Sequence, residues 1–439
     1  PLTPTRGKGL GFSAQGFFDP KAPTASEQTR LQLGFDENFV RELRLSCQTK
    51  GRPPRLWVFD PEVELRLGGG GRHNPVGQQI TADLASLMGA FAADGDLVWV
   101  PKEPSLELRE RLFALGFPKV EYAAGDIPDR KIAQLGLWSA DRDTTARWRS
   151  QVKQLQQESC ETKAALFRKT YWVENALVYD SHLVTTMAEC QERINQWQNV
   201  VFKSPYGVSG RGQLRQLQNT ALTSPQQGWL EKTLRRHGNL VAEPWHKRVF
   251  DISCQGDTSR GEVTVNKPLV GLYDGRGRFW GHRLHGAEAQ LAPYGEQIQS
   301  AARTVGEHLL GRDCRTPFGI DGYVYDDGGT PRLRPICEVN PRYTMGHIAG
   351  RLRALVAPGP SALWLLLTPK ELPLWECESF ADFSNKGQSR WRFSAGKLSE
   401  GLVCLTDVSS QTKTLACLFV GEPAEQALEV VRRAGVPTL

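Results

Sequence analysis

The stretch 335–347, with the sequence PICEVNPRYTMGH, decides how the rest of this chain is interpreted. In an extended strand every second side chain points to the same face, so Glu338 and Asn340 project together. A carboxylate and an amide oxygen side by side suit a Mg²⁺ ion that also binds substrate phosphates. Pro341 then ends the strand, and Arg342 adds a fixed positive charge that can face a phosphate. An ordinary strand that stops at a proline is the alternative interpretation.

The residues before this stretch predict a partner strand. Segments 319–325 and 332–340 flank Asp326-Asp327-Gly328-Gly329, which is a strong signal for the turn of a hairpin. Asp321 lies on the first of the two strands. Because the chain folds back across the turn, its carboxylate meets the two oxygen ligands of the second strand. The sequence therefore predicts three oxygen ligands for a divalent metal in one place.

A glycine-rich loop earlier in the chain predicts a phosphate-binding site. The short apolar strand 200–202 leads into Lys203 and then into the loop 204–212. Glycines let backbone N–H groups approach phosphate oxygens closely, and the lysine adds a cation at the end of the strand. The loop residues expected to contact phosphate are Gly207, Ser209, Gly210 and Gly212. A glycine-rich hairpin turn is the alternative, and the loop lacks the Gly-Lys-Ser/Thr of the strand-to-helix phosphate loop.

Composition narrows the function classes. The 439 residues indicate roughly two or three domains, and no apolar run is long enough to span a bilayer. The nine cysteines show no paired close spacing, which argues against a disulfide framework and against a zinc site. No export signal is recognisable at the start, so we expect a cytoplasmic protein with no membrane partner. The net charge of +6 is dispersed along the chain, which favours an enzyme that handles anions over a nucleic-acid binder.

The coarse pattern predicts an α/β protein in four parts. Strands at 56–59, 97–100 and 119–122 alternate with helices at 82–93 and 105–115, which indicates a small parallel sheet with crossover helices. The predicted parts are an N-terminal α/β domain at 1–130, a mostly helical segment at 131–200, an α+β core at 200–350 and a C-terminal α/β extension at 351–439. The extension is expected to shape a substrate pocket or the surface of a homodimer.

In their order and spacing, these residues resemble the ATP-grasp superfamily of ATP-dependent ligases. The residues that carry the likeness are Lys203, the loop 207–212, Glu243, Asp321 and the run Glu338-Val339-Asn340-Pro341-Arg342. The likeness covers roughly residues 160–350, and the α/β segment 50–130 resembles the domain that precedes the grasp in that family. The resemblance implies a pre-grasp domain followed by two α+β lobes with ATP between them.

The resemblance also implies a role for each nucleotide-binding residue. Lys163 and Lys203 would contact the ATP phosphates, and the glycine loop would close over them. Glu243 and Trp245 would lie at the hinge that receives adenine, with the indole as a wall for the ring. Asp251 would bind the ribose.

The metal and the reaction follow from the same resemblance. Asp321, Glu338 and Asn340 would hold one or two Mg²⁺ ions that bridge the β- and γ-phosphates, and Arg342 would face the transferred phosphate. The implied activity is the ATP-dependent ligation of a small-molecule or peptide carboxylate to an amine, through an acyl-phosphate and with release of ADP and phosphate. A small-molecule kinase on the same fold and a non-catalytic ATP-binding regulatory protein are the alternatives.

Two positions depart from the patterns of known relatives. Ligases of the D-alanine type place an arginine two residues before the first metal acid, where Gly319 stands here. Arg283, His285 and Arg342 are the candidates to supply that charge. Carboxylating ligases of purine synthesis have a proline after the motif arginine, where Tyr343 stands here, so the resemblance does not carry their particular substrate over to this chain.

Overall fold

The computed structural model describes residues 43–44, 46–69, 75–207, 212–217, 220–275, 277–386 and 391–438. The chain forms two compact units, Pro1–Arg52 and Pro53–Leu439, and the sheets and the site lie in the second. None of the helices in these ranges has the length and apolar character of a membrane span. Ser209 and Gly210 of the predicted phosphate loop lie outside the described residues.

The second unit begins with a parallel sheet of four strands. In spatial order they are Glu121–Ala124, Leu97–Val100, Leu56–Val58 and Leu135–Leu137. The accompanying helices are Val63–Leu67, Pro75–Leu84, the 3₁₀ helix Ala85–Phe91, Leu106–Leu115 and Arg142–Gln151. Ser105 caps its helix through a hydrogen bond from the backbone N–H of Leu108, and Gly116 ends it with φ of 105°, as a polar cap and a glycine predict. The α/β fold class predicted from the sequence is confirmed.

Short elements connect this sheet to the next. They are the paired strands Lys131–Ile132 and Gln154–Leu155, the 3₁₀ helix Ala164–Phe167 and the helix Lys169–Glu174. The segment that was expected to be mostly helical therefore also contains strands. Their two-residue length is too short for a hydrophobic period to appear in the sequence.

A small antiparallel sheet follows, covered by two helices. Its strands, in spatial order, are His182–Val184, Leu240–Pro244, Val200–Lys203 and Gln213–Gln216. The helices are Met187–Trp197 and Ser224–His237. Val200–Lys203 pairs with Gln213–Gln216, so the glycine loop is the turn of a hairpin and begins directly after Lys203.

A large antiparallel sheet forms the body of the unit. Its strands, in spatial order, are Thr330–Asn340, Pro317–Asp327, Arg248–Asp257, Leu269–Tyr273, Phe279–His285, Ala362–Leu367, Leu415–Val420, Lys397–Cys404 and Arg392–Ser394, and Thr264–Val265 pairs beside the third. Its helices are Glu288–Leu291, Gly295–Gly311, Met345–Leu355, the 3₁₀ helix Leu372–Trp375, Phe380–Lys386 and Glu422–Arg433. The strands after residue 360 thus continue the sheet that carries the predicted metal ligands.

The large sheet is packed on both faces. One face buries apolar side chains of the helices Gly295–Gly311 and Glu422–Arg433, such as Val305 and Leu428. Trp364 on the other face joins a core with Phe59 and Leu87 from the parallel-sheet region. Burial on both faces explains why the strand Ala362–Leu367 is apolar at every position.

Candidate functional site

A cavity, here called the central cavity, lies between the small sheet and one end of the large sheet. Lys203 and Gln213 line it from the small sheet, and Trp245 lines it from the connection between the sheets. Polar side chains of the large sheet and of the segment after it complete the lining. They are Arg248, Asp251, Ser253, Gln255, Tyr273, His282, Asp321, Glu338, Asn340 and Arg342.

The three predicted oxygen ligands meet in this cavity. In the hairpin, Asp321 pairs directly with Glu338, and Gly319 pairs with Asn340. The Asn340 side-chain amide donates a hydrogen bond of 3.1 Å to Asp321 Oδ2. Burial, together with the negative charges of Glu338 and Asp251, raises the pKa of Asp321 to about 7.

This donor set fits a magnesium ion. Within the described ranges no group of three His, Cys, Asp or Glu side chains is placed to hold a metal, and the trio here consists of two carboxylates and an amide. Hard oxygen donors of this kind are what Mg²⁺ selects when it keeps waters and binds phosphates. Asp321 and Glu338 lie side by side in the cavity, and a divalent cation bound between them would offset their negative charges.

Cationic side chains surround the same carboxylates. Lys169 Nζ lies 2.5 Å from Glu338 Oε1. Burial would raise the pKa of Glu338, but the charges of Lys169 and Lys203 outweigh it and hold the pKa below its usual value. Lys169 was missed by the sequence analysis, although it is a lysine at the start of a helix. The backbone N–H of Lys169 donates to the carbonyl of Pro205, which ties that helix to the glycine loop.

Lys203 is fixed by a buried ion pair. Its ammonium lies 2.8 Å from Glu243 Oε2 and donates to the carbonyl of Cys337 at 3.2 Å. Arg334 also lies 3.3 Å from the same carboxylate oxygen. Burial would raise the pKa of Glu243, but these two cations lower it overall. Glu243 therefore holds the Lys203 side chain in place. Glu243 itself does not line the central cavity.

Arg342 is held by two regions of the chain. Its guanidinium donates to Asn340 Oδ1 at 3.2 Å and lies 2.5 Å from Glu64 Oε1. Glu64 belongs to the short helix Val63–Leu67 of the parallel-sheet region and is buried. This contact joins the parallel-sheet region to the end of the strand Thr330–Asn340. No local pattern in the sequence predicted it.

The residues predicted to hold the nucleoside have partners of their own. Trp245 lines the cavity, with Arg215 at 4.9 Å and Arg248 at 5.0 Å from its ring centroid. Asp251 also lines the cavity and lies 2.5 Å from Arg248. A ligand ring that stacks on the Trp245 indole would therefore lie next to the guanidinium groups of Arg215 and Arg248. The roles of both residues toward a nucleotide remain predictions.

The described ends of the glycine loop lie close together. The Ser204 N–H donates to the Gly212 carbonyl at 2.8 Å, and Gly212 has φ of 72°, which a glycine adopts without strain. A Cβ added at Gly212 would lie 3.6 Å from the Cα of Gly207. The two glycines therefore close the neck of the hairpin next to Lys203.

Two predicted site residues lie elsewhere. Lys163 is exposed and donates to the carbonyl of Arg312, so it is not part of the cavity. Arg283 follows His282, and neighbouring residues of a strand point to opposite faces, so it faces away from the cavity. Burial lowers its pKa, and Glu425 of the helix Glu422–Arg433 is among the charges around it. The structure therefore brings neither of these two residues to the central cavity.

Packing explains the glycine at position 319. A Cβ built on Gly319 would lie only 2.8 Å from Thr344 Cγ2, so a larger side chain does not fit there. His285, the other candidate for the missing charge, has its Nδ1 3.2 Å from Glu288 Oε1 and lines a different cavity. Arg342 is therefore the one of the three candidates that reaches the central cavity.

A hydrogen-bonded group on the cavity floor was missed by the sequence analysis. Ser253 Oγ lies 3.0 Å from His282 Nε2 and accepts a hydrogen bond of 3.1 Å from the Gln255 amide. Burial lowers the pKa of His282 to about 3, so its ring is neutral. Ser253 and Gln255 share a face with Asp251 by the two-residue period, which is the one signal that pointed to them.

His347 has a structural role. It accepts from the backbone N–H of Thr344 through Nδ1 at 3.0 Å, which leaves Nε2–H to donate to the carbonyl of Gly256 at 3.3 Å. These bonds cap the helix Met345–Leu355. Burial lowers the pKa of His347 to about 4.

His347 is expected to make folding weaker in acid. In an unfolded chain the histidine has a pKa near 6.5. Between that pH and about 4 the histidine is protonated in the unfolded state and neutral in the folded state. The stabilisation is complete above pH 6.5 and is lost as the pH falls toward about 4, by on the order of 3 kcal/mol at about 1.4 kcal/mol per pKa unit. We expect His347→Asn, which keeps an acceptor for Thr344, to reduce the drop in unfolding free energy between about pH 7 and about pH 4.5 in urea titrations. An equal drop in both proteins would contradict this role.

No protein-family model and no curated protein matches the chain. Among solved structures it is similar to N5-carboxyaminoimidazole synthetase from Staphylococcus aureus complexed with ADP, at 11% identity over 87% of this chain and 96% of that chain, with a TM-score of 0.48. The N5-carboxyaminoimidazole ribonucleotide synthetase from Thermus thermophilus has 15% identity, coverage of 88% and 99%, and a TM-score of 0.45. The biotin carboxylase domain of the Hydrogenobacter thermophilus 2-oxoglutarate carboxylase has 12% identity, coverage of 87% and 90%, and a TM-score of 0.47.

These neighbours are ATP-grasp ligases, the superfamily that the sequence resembles. At such identities, and with TM-scores below 0.5, these similarities carry no argument about what this chain does. A function for this protein has to be inferred from the geometry of the central cavity.

Proposed function

We propose that this chain is an ATP-dependent ligase that joins a carboxylate to an amine through an acyl-phosphate and releases ADP and phosphate. The observation that supports this is one cavity in which Asp321, Glu338 and Asn340 are surrounded by Lys169, Lys203 and Arg342. Oxygen ligands for a metal, set among fixed cations, match the needs of phosphoryl transfer, which asks for charge neutralisation and alignment. ATP and one or two Mg²⁺ ions are the proposed cofactors, and a cytoplasmic location belongs to the same proposal.

The proposed reaction has two steps. An oxygen of the substrate carboxylate forms a bond to the γ-phosphorus, and the bond to the β–γ bridging oxygen breaks so that ADP leaves with the electron pair. The amine nitrogen then bonds to the acyl carbon, the bond to the phosphate oxygen breaks, and the amine proton passes to solvent. When bound by Asp321, Glu338 and Asn340, Mg²⁺ would neutralise phosphate charge.

The chain's own cations have separate tasks in this scheme. Lys203, held by Glu243, presents a positive charge to the phosphates without needing to reorganise. Arg342 adds a fixed positive charge that can face the transferred phosphate. Because Glu64 and Asn340 already accept from this side chain, its orientation is set before substrate binds. Arg342 is therefore the proposed catalytic arginine, in place of Arg283.

The test is phosphate release from purified protein with MgATP and pools of carboxylic acids and amines. We expect release that needs both a carboxylate and an amine and that stops when EDTA removes the metal. Hydroxylamine should trap the acyl-phosphate as a hydroxamate. Transfer of phosphate to a hydroxyl compound without an amine would favour a kinase, and ATP binding without turnover in any pool would favour a regulatory protein; either result would overturn the ligase.

A further inference from the structure

A second cavity, of about 660 Å³, lies beside the central cavity. Gln255 contributes to the lining of both. Tyr343 and His347 of the second lining also flank the segment 344–346, which lines the central cavity. The volume falls in the range of small-molecule sites, which is about 300–1,000 Å³. A molecule in the second cavity would therefore sit next to the phosphate-handling residues.

The lining of the second cavity is cationic. It contains Arg260, Lys267, Arg351, Arg353 and Lys397, against the acids Asp257 and Glu262. Arg353 lies 3.5 Å from Glu288. Across the described parts of the chain, no ion pair engages the other four cations. A cavity with this excess of unpaired positive charge favours an anionic ligand.

Apolar surfaces complete the cavity. Phe91 and Tyr343 lie in its wall, and their rings are 4.7 Å apart. Leu269, Val356 and Pro358 add aliphatic surface. The guanidinium of Arg351 lies 5.9 Å from the centroid of Phe91. An anion with an organic body fits this combination of walls better than a bare ion does.

The boundary between the two cavities offers an acceptor for a hydrogen bond. The Gln255 side chain is buried and donates to Ser253, while its Oε1 has no partner in the described structure. A buried carbonyl oxygen of this kind is stabilised by an N–H donor. An amine that enters from the second cavity would meet this oxygen on its way to the central cavity.

We propose that the second cavity binds the acceptor substrate of the ligase, an amine that also carries a carboxylate or phosphate group. The anionic group is held by Arg260, Arg351 and Lys397, and the amine passes Gln255 to reach the acyl-phosphate. This inference rests on the proposed function, because it takes the nucleophile of that reaction to be an amine.

The test is equilibrium binding of two probes, β-alanine and O-phosphoethanolamine, to protein saturated with a non-hydrolysable MgATP analogue. The two arms separate a carboxylate from a phosphate as the anionic group. Arg351 and Lys397 are exposed, so Arg351→Gln/Lys397→Gln should fold normally. The matched control, Arg303→Gln/Lys370→Gln, removes the same charge from exposed positions outside the cavity lining.

We expect at least one probe to bind the wild type and the control alike, with a Kd about tenfold or more higher in the cavity variant. The Kd of the nucleotide analogue should be the same in all three proteins. Saturable binding of neither probe, or equal affinity in the cavity variant and the control, would overturn the acceptor site. Failure of the nucleotide analogue to bind any of the proteins would instead count against the proposed function, so the two failures can be told apart.

Discussion

Glu338→Gln is expected to lower ATP turnover by about a hundred-fold or more while the chain stays folded. The carboxylate of Glu338 pairs across the hairpin with Asp321 and is the partner of Lys169. The amide keeps the shape of the side chain but removes the negative charge that would hold Mg²⁺. The substitution also removes the carboxylate that pairs with the Lys169 ammonium. Phosphate release under saturating MgATP measures the loss.

The control for this variant is Glu307→Gln, on the exposed side of the helix Gly295–Gly311. Circular dichroism and thermal unfolding should show both variants folded. Because the side chains of Lys169 and Glu338 are 16% and 29% exposed, breaking their ion pair should cost less unfolding free energy than breaking a fully buried pair. Turnover of Glu338→Gln at the wild-type rate would rule out the metal assignment.

Lys203→Met is expected to reduce turnover by a similar factor, on the order of a hundred-fold. The lysine supplies a buried positive charge next to the glycine loop, and methionine fills its space without the charge. Breaking a buried ion pair costs about 3–5 kcal/mol when the remaining charge has no partner. Here Arg334 still lies 3.3 Å from Glu243, so the loss of unfolding free energy should be smaller than that.

Two measurements separate catalysis from stability in this variant. Turnover is compared with that of Lys247→Met, which removes a lysine whose side chain is 83% exposed and whose partner is Asp326. Urea unfolding reports whether Arg334 compensates for the lost cation. If Lys203→Met binds MgATP and turns it over normally, Lys203 has only a structural role beside Glu243.

Local patterns predicted the metal trio because each step depends on near neighbours. The two-residue period of a strand put Glu338 and Asn340 on one face, and turn chemistry at 326–329 brought Asp321 back to them. The structure has both glycines of that turn at positive φ, and Asp326 accepts from the N–H of Gly329 at 2.7 Å. The place of Lys203 was likewise predicted from its neighbours, because it stands at the end of a short apolar strand.

Distant contacts decided where several other side chains lie. Lys163 and Lys169 are both lysines at the start of short helical segments, and only packing decides which of them reaches Glu338. Arg283 was a plausible donor in sequence, but the pairing of its strand turns the side chain to the other face. Glu243 was expected beside the adenine and instead neutralises Lys203.

By itself, the sequence of this protein determined its α/β class, the hairpin that brings Asp321, Glu338 and Asn340 together, and the lysine that precedes a glycine loop. These features arise from strand period, turn residues and apolar runs within a few residues of one another. Only the tertiary structure decided that Glu64 holds Arg342, that the strands after residue 360 extend the same sheet, and that a cationic cavity adjoins Gln255. Such contacts join residues far apart in the chain, and the free energy of bringing them together comes from packing that no local pattern encodes.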